Sequence, residues 1–208
     1  MIANHIHDAL EQVNRIREFM LARSQFRGYS GKARIISGTI ALAGTVALAS
    51  DRVPQTPLAH LFGWGAVAAA GILVNYAALL YWFLFDHEVR RNPIMLKPAL
   101  DAIPALFVGG ALTVALMLTA QYNLLFGAWM CLYGLSQVAY RQSLPRGIYR
   151  VGLAYIAAGA FCLVWPTVSF LNPWPMGIVF FIGEWIGGGV LILNETKQTE
   201  EDEGNIPS

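Results

Sequence analysis

The chain has 208 residues, of which 56% are hydrophobic and 13% charged, against about 25% charged in an ordinary soluble domain. That deficit argues against a water-soluble globule. The formal charge of +1 conceals a segregation of basic residues into the first 34 positions and two short connections, and no nucleic-acid partner is expected from it. Cys131 and Cys162 both lie inside apolar runs without CxxC or metal-type spacing, so neither a disulfide framework nor a metal site is expected.

In chain order, residues 1–32 read as a cytoplasmic amphipathic helix. At 100° per residue Ile6, Leu10, Val13, Ile16 and Met20 share one face, and Asp8, Glu11, Arg15 and Glu18 share the other. Such a helix lies on the inner membrane surface, or docks a partner chain or a second copy. Residues 1–34 hold no continuous apolar run with a small-residue cleavage site, so the first span is expected to target the chain itself.

Residues 33–195 form the expected transmembrane domain. Measured against the roughly 20 residues that cross a hydrocarbon core, the apolar runs are about 33–50, 58–85, 98–120, 124–140, 148–170 and 176–194. The connections DRVPQTP, HEVRRNPIMLK, QYN, RQSLPRG and LNPWP are short and rich in turn formers, which makes neighbouring spans antiparallel hairpins. The expected fold class is therefore all-α: an integral membrane six-helix bundle of antiparallel hairpins with an N-terminal interfacial amphipathic helix. With the N-terminus inside, every Lys and Arg except Arg52 falls on the cytoplasmic side, as the positive-inside rule requires. Both termini are then cytoplasmic, and residues 196–208 form an acidic, disordered tail.

Small residues four apart allow close helix approach in lipid. Gly183/Gly187 and Ala154/Ala158 supply such faces. Glu184, in FFIGEWIGGGVLIL, lies about 12 Å along its helix from Met176, near mid-membrane, where a carboxylate facing lipid is costly. No Lys or Arg is expected at its depth, so it reads as a neutral acid donating a hydrogen bond to a neighbouring helix. A proton or cation relay and a solvent-facing position are the alternatives. Asn75, Tyr133 and Gln137 are the further intramembrane polar candidates; Thr45, Tyr133 and Tyr155 lie at a depth comparable to Glu184, with Asn75 deeper toward the cytoplasm. No catalytic or metal-binding motif is present in the sequence, and the chain reads as non-enzymatic. Any cofactor is left open, because a pocket for a lipid, pigment or quinone is built from the same residues as any apolar pocket.

The stretches ALEQVNRIREFMLARSQFRGYSGKARIISGTIALAG, LLFGAWMCLYGLSQVAY, VGLAYIAAGAFCLVWP and FFIGEWIGGGVLIL together resemble an uncharacterised family of bacterial multi-span, about six-helix, inner-membrane proteins with an N-terminal amphipathic helix. The most specific part is R-x-R-x-x-M-x-x-R-S at Arg15, Arg17, Met20, Arg23 and Ser24. The resemblance implies a bacterial source and a multi-span bundle in the inner (cytoplasmic) membrane, and no activity. Family members carry a histidine near the position of Glu184 and Trp185, from which this chain departs. The expected function is a scaffold or accessory subunit of a membrane complex, embedded in the bilayer as a homo-oligomer or with other chains. The alternative is a small transporter or channel that uses Glu184 for proton or cation coupling.

Overall fold

The structure, a computed structural model, describes residues 30–85, 103–139, 144–165 and 168–204. The segment with Ile6, Leu10, Val13, Ile16 and Met20 lies outside the described residues. Among the described residues there are six α-helices and no strand: α1 (Gly31–Leu48), α2 (Pro57–Phe85), α3 (Ile103–Leu118), α4 (Leu125–Ala139), α5 (Arg146–Val164) and α6 (Trp174–Gly204), with a single 3-10 turn at Tyr122–Leu124 before α4.

Local chemistry sets these bounds. Ser30 caps α1, its hydroxyl accepting from the Ala33 amide at 3.3 Å, which satisfies one free N–H of the first turn. Proline at the first position of α2, with Thr56 before it accepting from Ala59 N–H at 3.3 Å, starts the second helix in the usual way. The fifth apolar run extends to 170 in the sequence, yet α5 stops at Val164. Pro166 disfavours helical backbone at the residue before it, and Trp165 is extended at φ −88°, ψ 108°. A second departure is at the C-terminus, where α6 carries on to Gly204 through residues read from sequence as a disordered tail. Glu, Gln and Lys form helix well, and no breaker precedes that glycine.

By length and composition three helices can cross a membrane: α2, α5 and the Trp174–Thr196 portion of α6. The third helix is apolar but has 16 residues, about 24 Å at 1.5 Å per residue; α4 has 15. Large apolar side chains point outward across the molecule, among them Phe62, Leu73, Phe107 and Leu118 at 70% exposure or more, an exterior that suits lipid and not water.

The helices form a row in the order α2, α1, α6, α5, α4, α3, each packed on its neighbours. Two glycine seams set its tightest contacts. On α4 and α5, Gly127 meets Gly159 and Gly134 meets Gly152; a Cβ on Gly134 would lie 2.6 Å from the Gly152 carbonyl, and one on Gly159 would lie 2.8 Å from the Cys131 amide nitrogen. This pairing is antiparallel, and its glycines recur every seven residues. A seven-residue repeat keeps one face turned to a partner when helices cross with a left-handed supercoil. On α1 and α6, Gly31 opposes Gly188, Gly38 opposes Glu184 and Thr45 opposes Gly177, again antiparallel and again seven apart on α1. The expected Ala154 is exposed and Ala158 half-buried, so Gly152 and Gly159, not the alanines, form the α5 seam.

Where the start of α2 meets the start of α4 the core is aromatic: Trp64 stands edge-on to Phe126 at 5.8 Å and 82°, and Phe126 lies 5.0 Å from Phe170. The Asn123 carboxamide oxygen accepts from Phe170 N–H at 2.9 Å, tying the turn before α4 to the α5–α6 connection.

Gly134→Val is expected to destabilise the protein by about 1–3 kcal/mol, as overpacking against backbone does. Gly65→Val, at a position with nothing within 4 Å of a Cβ, is expected to leave stability close to wild type. Thermal unfolding of both variants in mild detergent checks the contrast.

Candidate functional site

The antiparallel register of α1 and α6 brings Arg34 within reach of Glu184. Gly38 stands opposite Glu184, and Arg34 lies one turn earlier on α1, about 6 Å along the axis. The arginine stem covers that distance. Arg34 Nε donates to Glu184 Oε2 at 2.9 Å and Nη2 to Oε1 at 2.8 Å, the fork geometry that suits a carboxylate best. Oε1 also accepts from the Tyr133 hydroxyl at 2.7 Å and the Tyr155 hydroxyl at 3.0 Å. Arg34 is 6% exposed and Glu184 2%.

This corrects the expectation that Glu184 has no cation at its depth and donates as a neutral acid. Its two oxygens receive only donors, one of them a guanidinium, so the arrangement is that of an ionised carboxylate. Arg34 belongs to the first apolar run but lies so near its start that it reads as an interfacial charge. The helix register carries its head group into the bundle.

Gly183 and Gly187 flank Glu184 and make room for its partners. A Cβ on Gly183 would lie 2.5 Å from the Tyr155 hydroxyl oxygen, and one on Gly187 would lie 2.8 Å from Arg34 Cζ. The GxxxG motif is thus a socket for two side chains, while helix contact is made through Gly188. Tyr133 and Tyr155 meet edge-on at 5.0 Å and 83°, and Phe180 packs on both at 5.2 and 5.1 Å. Four helices, α1, α4, α5 and α6, contribute to the cluster.

Gln137 extends it, its Oε1 accepting from Arg34 Nη2 at 3.3 Å. Asn75 does not join; it donates to Ser37 Oγ at 2.8 Å and to the Gly71 carbonyl at 2.8 Å, linking α2 to α1. Thr45 bonds the Ala41 carbonyl at 2.8 Å, away from the carboxylate. Sequence reasoning thus singles out Tyr133, Gln137 and Glu184 but misses Arg34, for which the available signal is an arginine inside the first apolar run.

A cavity of about 580 Å³ lies beside the cluster, walled by α1, α2, α3, α4 and α6. At one end Arg34, Ser37, Asn75, Gln137 and Glu184 line it; at the other, Leu61, Trp64 and Met176. Among the described residues, the two ends of the helix row, α2 and α3, stand on either side of it without a packing seam between them. Among the described residues, buried side-chain atoms without a hydrogen-bond partner are Gln137 Nε2, Trp64 Nε1 and both ring nitrogens of His60. Each such orphan carries a desolvation penalty of about 1–3 kcal/mol. Gln137 and Trp64 line the cavity, whereas His60 is packed against Phe170 at 6.3 Å. Among the described residues no three His, Cys, Asp or Glu side chains cluster as a metal site, and Cys131 and Cys162 are free thiols.

No family model, curated protein or solved structure matches this chain.

Removing one member of the ion pair strands the other, so Arg34→Met or Glu184→Met alone is expected to cost about 3–5 kcal/mol. The double substitution is expected to cost well under the sum, since it leaves no uncompensated charge. A double-mutant cycle on unfolding in detergent reads the coupling.

Proposed function

We propose that the chain is a non-enzymatic integral membrane protein of six spans, both ends cytoplasmic, that acts as a scaffold or accessory subunit of a membrane complex. One observation carries this reading: the carboxylate of Glu184 is closed off by Arg34, Tyr133 and Tyr155, so the charged constellation of the helices works as a clamp between α1, α4, α5 and α6. A general acid or nucleophile needs an atom turned toward its substrate; here both oxygens are engaged. The distribution of Lys and Arg supports the topology, with the Arg34 end of the row toward the cytoplasm. The resemblance implies a bacterial inner membrane. Residues 1–32 serve as the interfacial docking helix, for a second copy or for a different chain.

A transporter or channel is the second reading. What favours it is that Arg34 and Glu184 both line the cavity, where a proton or cation entering it would meet them. On the scaffold reading, vesicles reconstituted with wild-type protein show no more pH-driven proton flux than empty ones, and Glu184→Gln changes nothing. A flux present in wild type and abolished in Glu184→Gln, with the variant's helix content retained by circular dichroism, establishes the transporter instead.

Deleting residues 1–26 is expected to shift the species on a native gel from a complex to the isolated chain, with the helix content of the remainder retained by circular dichroism. An unaltered complex rejects the docking role.

A further inference from the structure

Of the 29 residues of α2, two are buried, His60 and Trp64, one turn apart on the helix. Both carry polar nitrogen that the protein leaves unmatched: His60 Nδ1, His60 Nε2 and Trp64 Nε1 have no hydrogen-bond partner. His60 is 0% exposed, so water does not make up the deficit. This half of α2 is therefore anchored to the bundle by an aromatic plug whose polar atoms have been stripped of water at a cost.

The surroundings of the plug are apolar. Antiparallel pairing sets the start of α2 against the end of α1, where Gly63 meets Leu48, far from Arg34 in the first turn of α1. The His60 ring stands 6.3 Å from Phe170, beyond the distance of about 6 Å within which a ring face holds a cation. Among the described residues, the ionisable side chains of the surrounding elements are Asp51 and Arg52, both exposed on the α1–α2 connection, Tyr122 before α4, Cys131 on α4 and Cys162 on α5. None of them hydrogen-bonds the imidazole, and none carries a charge close enough to act on it. A neutral ring can stay in such a place. An imidazolium cannot, because a buried charge needs a counter-charge or acceptors around it.

The other half of α2 is attached differently. Asn75 donates to Ser37 Oγ and to the Gly71 carbonyl, and neutral groups of this kind take up no proton in the range where imidazole does. Acid therefore bears on the first attachment and leaves the second in place.

We propose that the start of α2 is an acid-released anchor: His60 takes up a proton only by leaving the aromatic core, and the first two turns of α2 leave with it, exposing Trp64, a wall of the cavity. The released form holds one proton more than the anchored form, so acid favours release. Below about pH 6.5, where an imidazole in water becomes protonated, each further unit of acid raises the released population tenfold.

Hydrogen–deuterium exchange of the full-length protein in mild detergent, read by mass spectrometry and corrected for the intrinsic pH dependence of amide exchange, tests the proposal, since protection reports local opening. In wild type the protection of amides 61–66 is expected to fall about thirtyfold between pH 7.5 and 5.0, the change in proton uptake of one free imidazole over that interval, while amides 150–160 on α5 keep theirs. His60→Leu removes the titrating group and keeps the site apolar, and its protection at 61–66 is expected to be independent of pH, with helix content checked by circular dichroism. The slope of the wild-type profile, tenfold per unit below about pH 6.5, is a second readout that needs no variant. A flat wild-type profile overturns the proposal. So does the same pH dependence in His60→Leu, which assigns the proton to another group. A fall shared equally by 61–66 and 150–160 also overturns it, because the proton is then unfolding the bundle and not releasing α2.

Discussion

The Arg34–Glu184 pair is the constraint around which the described helices are arranged. In water such a pair contributes little, because solvent screens it and the side chains lose freedom. Inside an apolar bundle, and among the described residues, each is the other's counter-charge, so each is bound to the position of the other. The tyrosines sharpen this further. With Tyr133 on α4 and Tyr155 on α5 both donating to the same carboxylate oxygen, a shift of any one of the four helices by a fraction of a turn would leave a buried polar group unmatched. The pair therefore specifies register as well as proximity.

Close packing makes that arrangement geometrically possible. Helices in lipid lack the hydrophobic driving force that compacts soluble proteins and associate through van der Waals contact. The α4–α5 seam, glycine against glycine, brings Tyr133 and Tyr155 onto adjoining faces. On α6, Gly183 and Gly187 leave sockets beside Glu184, and Gly38 on α1 accommodates its stem. By contrast α2 buries only His60 and Trp64, and α3 buries nothing. Its side-chain hydrogen bond to the rest is Trp129 Nε1 to Thr113 Oγ1 at 2.8 Å. The α3 end of the row is the lightly attached one, and it borders the cleft.

Much of this was legible in the sequence. Each of the six apolar runs contains a helix, because run length and turn-forming connections report directly on local structure. Glu184 stood out because a carboxylate in an apolar run is chemically conspicuous, Tyr133 and Tyr155 followed from matching depths, and Gln137 from being a neutral amide inside an apolar run. What escaped was relational. Nothing local says that Arg34 turns inward instead of toward head groups; that depends on which helix lies beside α1 and at what register. The seven-residue glycine spacing was also hidden, since four-residue spacings are commoner and draw attention first. Gln137 Nε2 could not be recognised as unmatched before its oxygen was known to be occupied. Helix ends were lost to specific neighbours, Pro166 shortening α5 and the absence of a breaker lengthening α6.

The two halves of the clamp stand 150 residues apart in the chain, one in the first described helix and one in the last. At translation speeds of about 5–20 residues per second, roughly 8–30 s separate their emergence from the ribosome. Throughout that interval the guanidinium lacks its carboxylate. Its place in the first turn of α1 lets it stay solvated, reaching outward along its stem, until the last described helix delivers the carboxylate. The last described helix thus carries the latch, and the clamp closes only when that helix is in place.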